Sequence, residues 1–179
     1  TAILCVIDCW SRYCGAYLLG DKRADTVSRA FSLFVESYRS HCNVPPRSLM
    51  IDKGSELRGL DKVMEKHCTK RPCVFRSLTG TPVNLIENFN AQFQRMCQVY
   101  REAQLVSDFD DIIWLVCNAI NHQRRKDRMS YTPLELLQMN KTMRTEVNAN
   151  YKFRATMGEE KDPLTIGMNV RVLMLNRKE

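Results

Sequence analysis

Apolar residues fall into short runs that end in polar punctuation, and the period of the runs changes along the chain. Ile3 to Asp8 (ILCVID) is a β-branched apolar run closing on an acid, the pattern of a central strand buried on both faces. Ser11 and Arg12 make a polar turn, and Cys14 to Leu19 reads as a second strand pairing back as a hairpin. Gly20 and Asp21 are turn material, with a third short strand expected nearby. Val27, Ala30, Phe31, Phe34, Val35 and Tyr38 keep helical spacing. They predict a helix from about Val27 to Arg39, capped by Asp25 or Thr26 and stopped before Pro45 and Pro46. Ser48 to Asp52 (SLMID) is again an apolar run ending in an acid. Leu57 to Lys66 reads as a helix and Cys73 to Ser77 as a strand.

Thr79 to Asn84 (TGTPVN) is a loop, and a long helix is expected from about Leu85 to Tyr100. Its Ile86, Phe89, Phe93, Met96 and Tyr100 form an apolar core stripe. Phe109 to Asn121 is a further helix, with Asp108, Asp110 and Asp111 near its positive N-terminal end. Pro133 to Met139 is a short one with Thr132 as N-cap. This order predicts an α/β fold with a mixed sheet over residues 1–140. Residues 141–163 are polar and aperiodic and read as a linker. Ile166 to Leu175 alternates as a strand does, opening a small β module over 164–179.

Composition narrows the partners. Lys and Arg number 27 against 20 Asp and Glu, for a net charge of +7 and a pI near 9.1. Such a balance favours polyanions, although many basic proteins bind none. Eight cysteines are present without a CxxC pair, and several sit inside apolar runs, as reduced, buried thiols do. No apolar run reaches the roughly 18 residues of a membrane span. No signal peptide is visible, and a core strand at the first residues suggests a piece of a longer chain.

The candidate chemistry lies in three acids. Asp8 and Asp52 each end an apolar strand, and ligand sites of open α/β sheets gather at strand carboxyl ends. Glu87 stands in the first turn of the long helix, after a loop that could fold over the same edge. Three converging carboxylates repel one another and need cations, and hard oxygen ligands select Mg²⁺ or Mn²⁺. Two such ions suit phosphodiester chemistry. Each acid taken alone reads equally as a solvated turn residue.

At these residues the chain resembles the integrase catalytic core of retroviruses and related mobile elements. Val6 to Tyr13 (VIDCWSRY), Ile51 to Leu57 (IDKGSEL), Pro82 to Asn90 (PVNLIENFN), Asn118 to His122 (NAINH) and Tyr131 to Leu137 (YTPLELL) are similar to family motifs, in the family's order. Asp52 and Glu87 are separated by 34 residues, within about one of the spacing for which the family is named. The Asp-Lys-Gly-x-Glu form is most similar to integrases of Maverick or Polinton transposons. The resemblance implies an RNase H-like fold, a five-stranded mixed sheet flanked by helices. It implies a two-metal polynucleotidyl transferase and endonuclease of the DDE type, performing 3′-end processing and strand transfer of mobile-element DNA. Asp8, Asp52 and Glu87 would hold two Mg²⁺ or Mn²⁺ ions. It also implies a homodimer or higher assembly on element ends and target DNA, a nuclear location, and a zinc-binding domain ahead of Thr1.

Other residues join this reading. Lys53, Gln94, Arg95, Arg124, Arg125 and Lys126 are candidate DNA contacts, the last three in the run HQRRKDR, though a solvated charge run explains them equally well. Glu56 could stand behind the metals or simply favour a helix start, and Trp114 could meet a partner copy. Lys53, Leu85 and Asn88 depart from the retroviral pattern, where Asn, Gly and Arg are usual. These departures motivate an alternative, a domesticated core acting as a DNA- or protein-binding module. A third reading is another RNase H-like nuclease, since fold does not fix function.

Overall fold

The computed structural model describes residues 2–42, 44–52, 54–68, 73–76, 84–104, 106, 108–155 and 170–176. The first hairpin forms as expected: β1 (Ala2–Asp8) pairs antiparallel with β2 (Cys14–Leu19), with Ile7 opposite Cys14 and Ala2 opposite Leu19. No third hairpin strand follows, because only four residues separate Leu19 of β2 from the start of α1 (Ala24–Cys42). Then come β3 (Ser48–Ile51), a 3-10 turn at Ser55–Leu57, α2 (Leu60–His67), β4 (Cys73–Arg76) and α3 (Asn84–Glu102). The chain continues through α4 (Phe109–His122), a 3-10 turn at Lys126–Arg128, α5 (Pro133–Gln138), α6 (Lys141–Ala155) and β5 (Val170–Asn176).

Alternation along β1 feeds two cores. Leu4 and Val6 pack with Phe31, Phe34 and Val35 of α1 and with Leu60 and Met64 of α2. Ile3, Cys5 and Ile7 pack on the other face with Ile86, Phe89 and Phe93 of α3 and Ile112, Ile113 and Val116 of α4. A strand covered on both sides must be apolar at every position, which is why ILCVI reads as an unbroken run. Asp25 and Thr26, expected as caps, lie inside α1, whereas the Thr132 cap formed as expected. Thr132 accepts from the Glu135 amide while Glu135 accepts from the Thr132 amide, a reciprocal capping box, and Asp108 caps α4 by accepting from the Asp110 amide.

The C-terminal third departs from expectation. The stretch expected as a linker carries α6, and α6 is docked. The Trp10 indole N–H donates to Asn148 Oδ1 at 2.7 Å, the Arg144 guanidinium lies 5.1 Å from the Trp10 ring, and Val147 packs with Trp10, Leu136 and Met139. Period counting missed it because only one narrow stripe of the helix is apolar. Residues 156–163 lie outside the described residues. The expected strand at the C-terminus exists as β5, and it joins the core sheet. It pairs antiparallel with β1 over seven positions and parallel with β3 over three, giving the order β2-β1-β5-β3-β4. The expected five-stranded core sheet within residues 1–140 therefore contributes only four of these strands.

Candidate functional site

The position of β5 sets the directions of the other strands. It runs opposite to β1 and with β3, so β1 and β3 point opposite ways. Asp8 and Leu49 share the rung of Val170, whereas Asp52 lies three residues further along β3 from that rung. Two strand spacings and three residues separate the two acids by about 14 Å between Cα positions. Leu49 and Ile51 pack against α1, so alternation assigns Asp52 to the face of α3. The sequence predicts both acids at one sheet edge; in the structure Asp8 lies level with the start of β3 and Asp52 follows the end of β3, three residues further along the strands.

Asp8 is part of the core and closes the hairpin turn. It is 1% exposed, and its Oδ2 accepts from the Ser11 amide at 2.7 Å and the Ser11 hydroxyl at 2.6 Å. Its backbone N–H donates to Tyr13 O and its carbonyl accepts from Arg12 N. Burial raises the carboxyl above its ordinary value, opposed by the Ser11 bonds and by the charges of Arg12 and Arg144. Burial also raises the Tyr38 phenol of α1, and the charge and hydrogen bond of Asp8 add to that rise. Ligating a metal would require Asp8 to exchange its Ser11 hydrogen bonds for the ion.

Asp52 directly follows β3 and is half-buried, at the carboxyl end of the parallel strands β3 and β4. Glu87 is exposed in the first turn of α3, while its neighbours Ile86 and Phe89 anchor that turn in the core. Between them the Glu56 carboxylate folds back over Gly54; a Cβ there would stand 2.5 Å from Glu56 Oε1, so a side chain at this position would displace it. Among the described residues no three His, Cys, Asp or Glu side chains are close enough to hold a metal ion together. Asp8, Asp52 and Glu87 are not gathered into one cluster in this arrangement.

The candidate DNA contacts fall in two places. Gln94 and Arg95 are exposed on α3, on the flank away from its apolar stripe. Arg124, Arg125 and Lys126 follow α4 and line a cavity of about 250 Å³ whose opposite wall is Gln92 of α3. Lys53 lies outside the described residues. Sequence reasoning missed Arg12, Gln92 and Gln123: Arg12 was noted only as turn material, and nothing along the chain ties α3 to the end of α4.

No protein-family model matches the sequence, and no curated protein matches it. Solved structures do match. The BIV integrase catalytic core domain superposes with a TM-score of 0.61 at 12% identity, over 80% of this chain and 88% of that one. A chain of the simian T-cell lymphotropic virus intasome, solved in complex with PP2A regulatory subunit B56 gamma, superposes with a TM-score of 0.63 at 14% identity. That match covers 77% of this chain but only 49% of the viral one, so the chain spans about half that protein's length. At these identities the shared property is the fold: this chain is an α/β protein folded like retroviral integrase catalytic cores.

Proposed function

We propose that the chain belongs to a DNA integrase, a polynucleotidyl transferase that processes and joins mobile-element DNA, with Asp52 and Glu87 among its functional carboxylates. The observation that supports this best is the agreement between an integrase-core fold and the ordered motifs IDKGSEL, PVNLIENFN and YTPLELL mapped onto it. Asp52 sits where the parallel strands end, and Glu87 opens the helix that follows them. Both are accessible to a polyanionic substrate, whereas Asp8 is not. A Maverick or Polinton origin, divalent metal use and a nuclear location belong to the same proposal. So does self-association through the face of α1 and α4, where Leu33 and Trp114 are 56% and 65% exposed.

Strand transfer by the full-length protein on DNA carrying the element's ends tests this reading. Asp52→Asn and Glu87→Gln are expected to abolish joining while Asp8→Asn keeps it wherever the variant folds. Unchanged joining by Glu87→Gln sinks the proposal. One observation favours a second reading, a DNA-binding module without catalysis: the separation of Asp8 from Asp52 leaves the implied three-acid set unassembled. That reading expects DNA binding with no joining and no effect of either substitution.

A further inference from the structure

A cavity of about 380 Å³ opens where the end of α1, the segment entering β3 and the start of α6 meet. Two kinds of side chain line it. Val44, Pro45 and Met139 are apolar, and Arg47, Lys141 and Arg144 are cationic. Arg47 directly precedes β3, while Lys141 and Arg144 belong to the first turn of α6, so folding brings the three cations to one opening from distant parts of the chain. Among the described residues no acid lines this cavity. The remaining lining groups include the Tyr38 phenol and the Cys42 thiol, and that thiol is already directed to the carbonyls of Tyr38 and Val44, each at 3.1 Å.

Arg144 is fixed in place by its surroundings. Its Nη2 donates to Leu137 O at 2.6 Å, and its guanidinium carbon lies 5.1 Å from the centre of the Trp10 ring. Its Nε is buried and has no hydrogen-bond partner among the described residues, so the donor set of this guanidinium is incomplete. A buried N–H without an acceptor is unfavourable, and an anionic oxygen is the acceptor a guanidinium binds best. The charge of Arg144 also acts on Asp8, but that carboxyl is engaged by Ser11 and does not line the cavity. The backbone adds to the positive field. Asn140 takes the Met143 amide through its side chain and the Arg144 amide through its carbonyl, and Lys141, at the first helical position and the positive pole of α6, lines the cavity.

We infer that this cavity binds a small phosphate ester, with Arg47, Lys141 and Arg144 on the phosphate and Val44, Pro45 and Met139 against its organic part. Its volume falls in the range of small-molecule sites, and its mixture of an apolar wall with a few converging charges is their usual make-up. Arg47 precedes β3 and Asp52 follows it, so roughly 16 Å of extended chain lies between this cavity and the carboxylate proposed for DNA joining. Bound here, the ester ties α6 to the segment entering β3.

Isothermal titration calorimetry of the full-length protein with phenyl phosphate tests the site. Binding is expected, and Arg47→Glu and Lys141→Glu should each weaken it by about tenfold. Both side chains are exposed, whereas Arg144 also packs on Trp10 and is left unchanged. Arg101→Glu makes the same change of charge on exposed α3, on the other face of the sheet from α1, and should weaken binding by less than about twofold. Circular dichroism melts identify any variant that fails to fold, and Arg47→Gln and Lys141→Gln then replace the acidic variants, each with a loss of about threefold. No binding at about 10 mM ester overturns the inference, as do equal losses from all three acidic variants. Inorganic phosphate binding as tightly as the ester leaves the apolar wall without a role and overturns it as well. Displacement of phenyl phosphate by a duplex of about twenty base pairs, at equal phosphate concentration, assigns the cavity to the DNA backbone and overturns it too.

Discussion

Two strand ends in one sheet carry the same sequence signature and opposite structures. ILCVID and SLMID are both apolar runs closing on an acid. At the β1 end, Asp8 is sealed beneath Ser11 and Tyr38, and Trp10 beside it is covered by α5 and α6. At the β3 end, Asp52 stands half-open where parallel strands stop. An acid at a strand terminus is a ligand candidate only if the strand points toward the open edge. At the other end it becomes a capping group for its own turn.

The sharpest way to break this comparison is paired substitution. In strand transfer by the full-length protein, Asp52→Asn is expected to cost roughly a hundredfold or more, about 2.7 kcal/mol of barrier, and Asp8→Asn less than about threefold. Equal losses would erase the distinction between the ends.

Next comes the closure of the β1 end. Asn121 of α4 accepts from Cys14 N at 2.8 Å and donates to Cys14 O at 2.9 Å, so its amide replaces a neighbouring strand at the first rung of β2. Asn121→Ala leaves a buried donor and a buried acceptor without partners and should cost about 3 kcal/mol in denaturant melts. A loss below about 1 kcal/mol would mean that water enters and that this end is less closed than it is drawn here.

The Asp8 carboxyl offers a pH test. Its folded pKa lies above the ordinary 3.8, so the folded state favours the protonated form. The resulting penalty is absent below the unfolded value, grows as pH rises through it, and is complete above the folded value. Asp8→Asn removes that penalty, so the variant's stability relative to the parent should rise as pH increases from below the ordinary 3.8 to above the raised folded value. A relative stability that falls over this window would show Asp8 favoured in its charged form and point back toward a cation there.

The smallest expected effect concerns the cover over the β1 end. Thr132→Ala removes one half of the α5 capping box and should cost about 1 kcal/mol. Its effect on strand transfer should be no larger than that stability loss produces, because α5 packs at the closed end.

Local signals were readable wherever a residue's neighbours in sequence are also its neighbours in space. The apolar stripe of α1, the two-faced burial of β1, the proline stop before β3 and the Thr132 cap each depend on spacings of two to four residues, and each formed as read. The places of Asp52 after β3 and Glu87 in the first turn of α3 were legible for the same reason. Strand direction within the sheet and the burial of Asp8 depend on contacts across more than a hundred residues. A seven-residue alternating run such as β5 carries no mark of which slot it will enter, since any pair of unpaired strand edges offers the same backbone donors and acceptors. By itself the sequence determined α1 to α5, the strands and the pairing of the first hairpin, but not α6. Only the tertiary structure decided that β5 lies between β1 and β3, and with it which acid faces the open edge, because hydrogen-bonding edges are chemically alike and only packing of the whole chain ranks them.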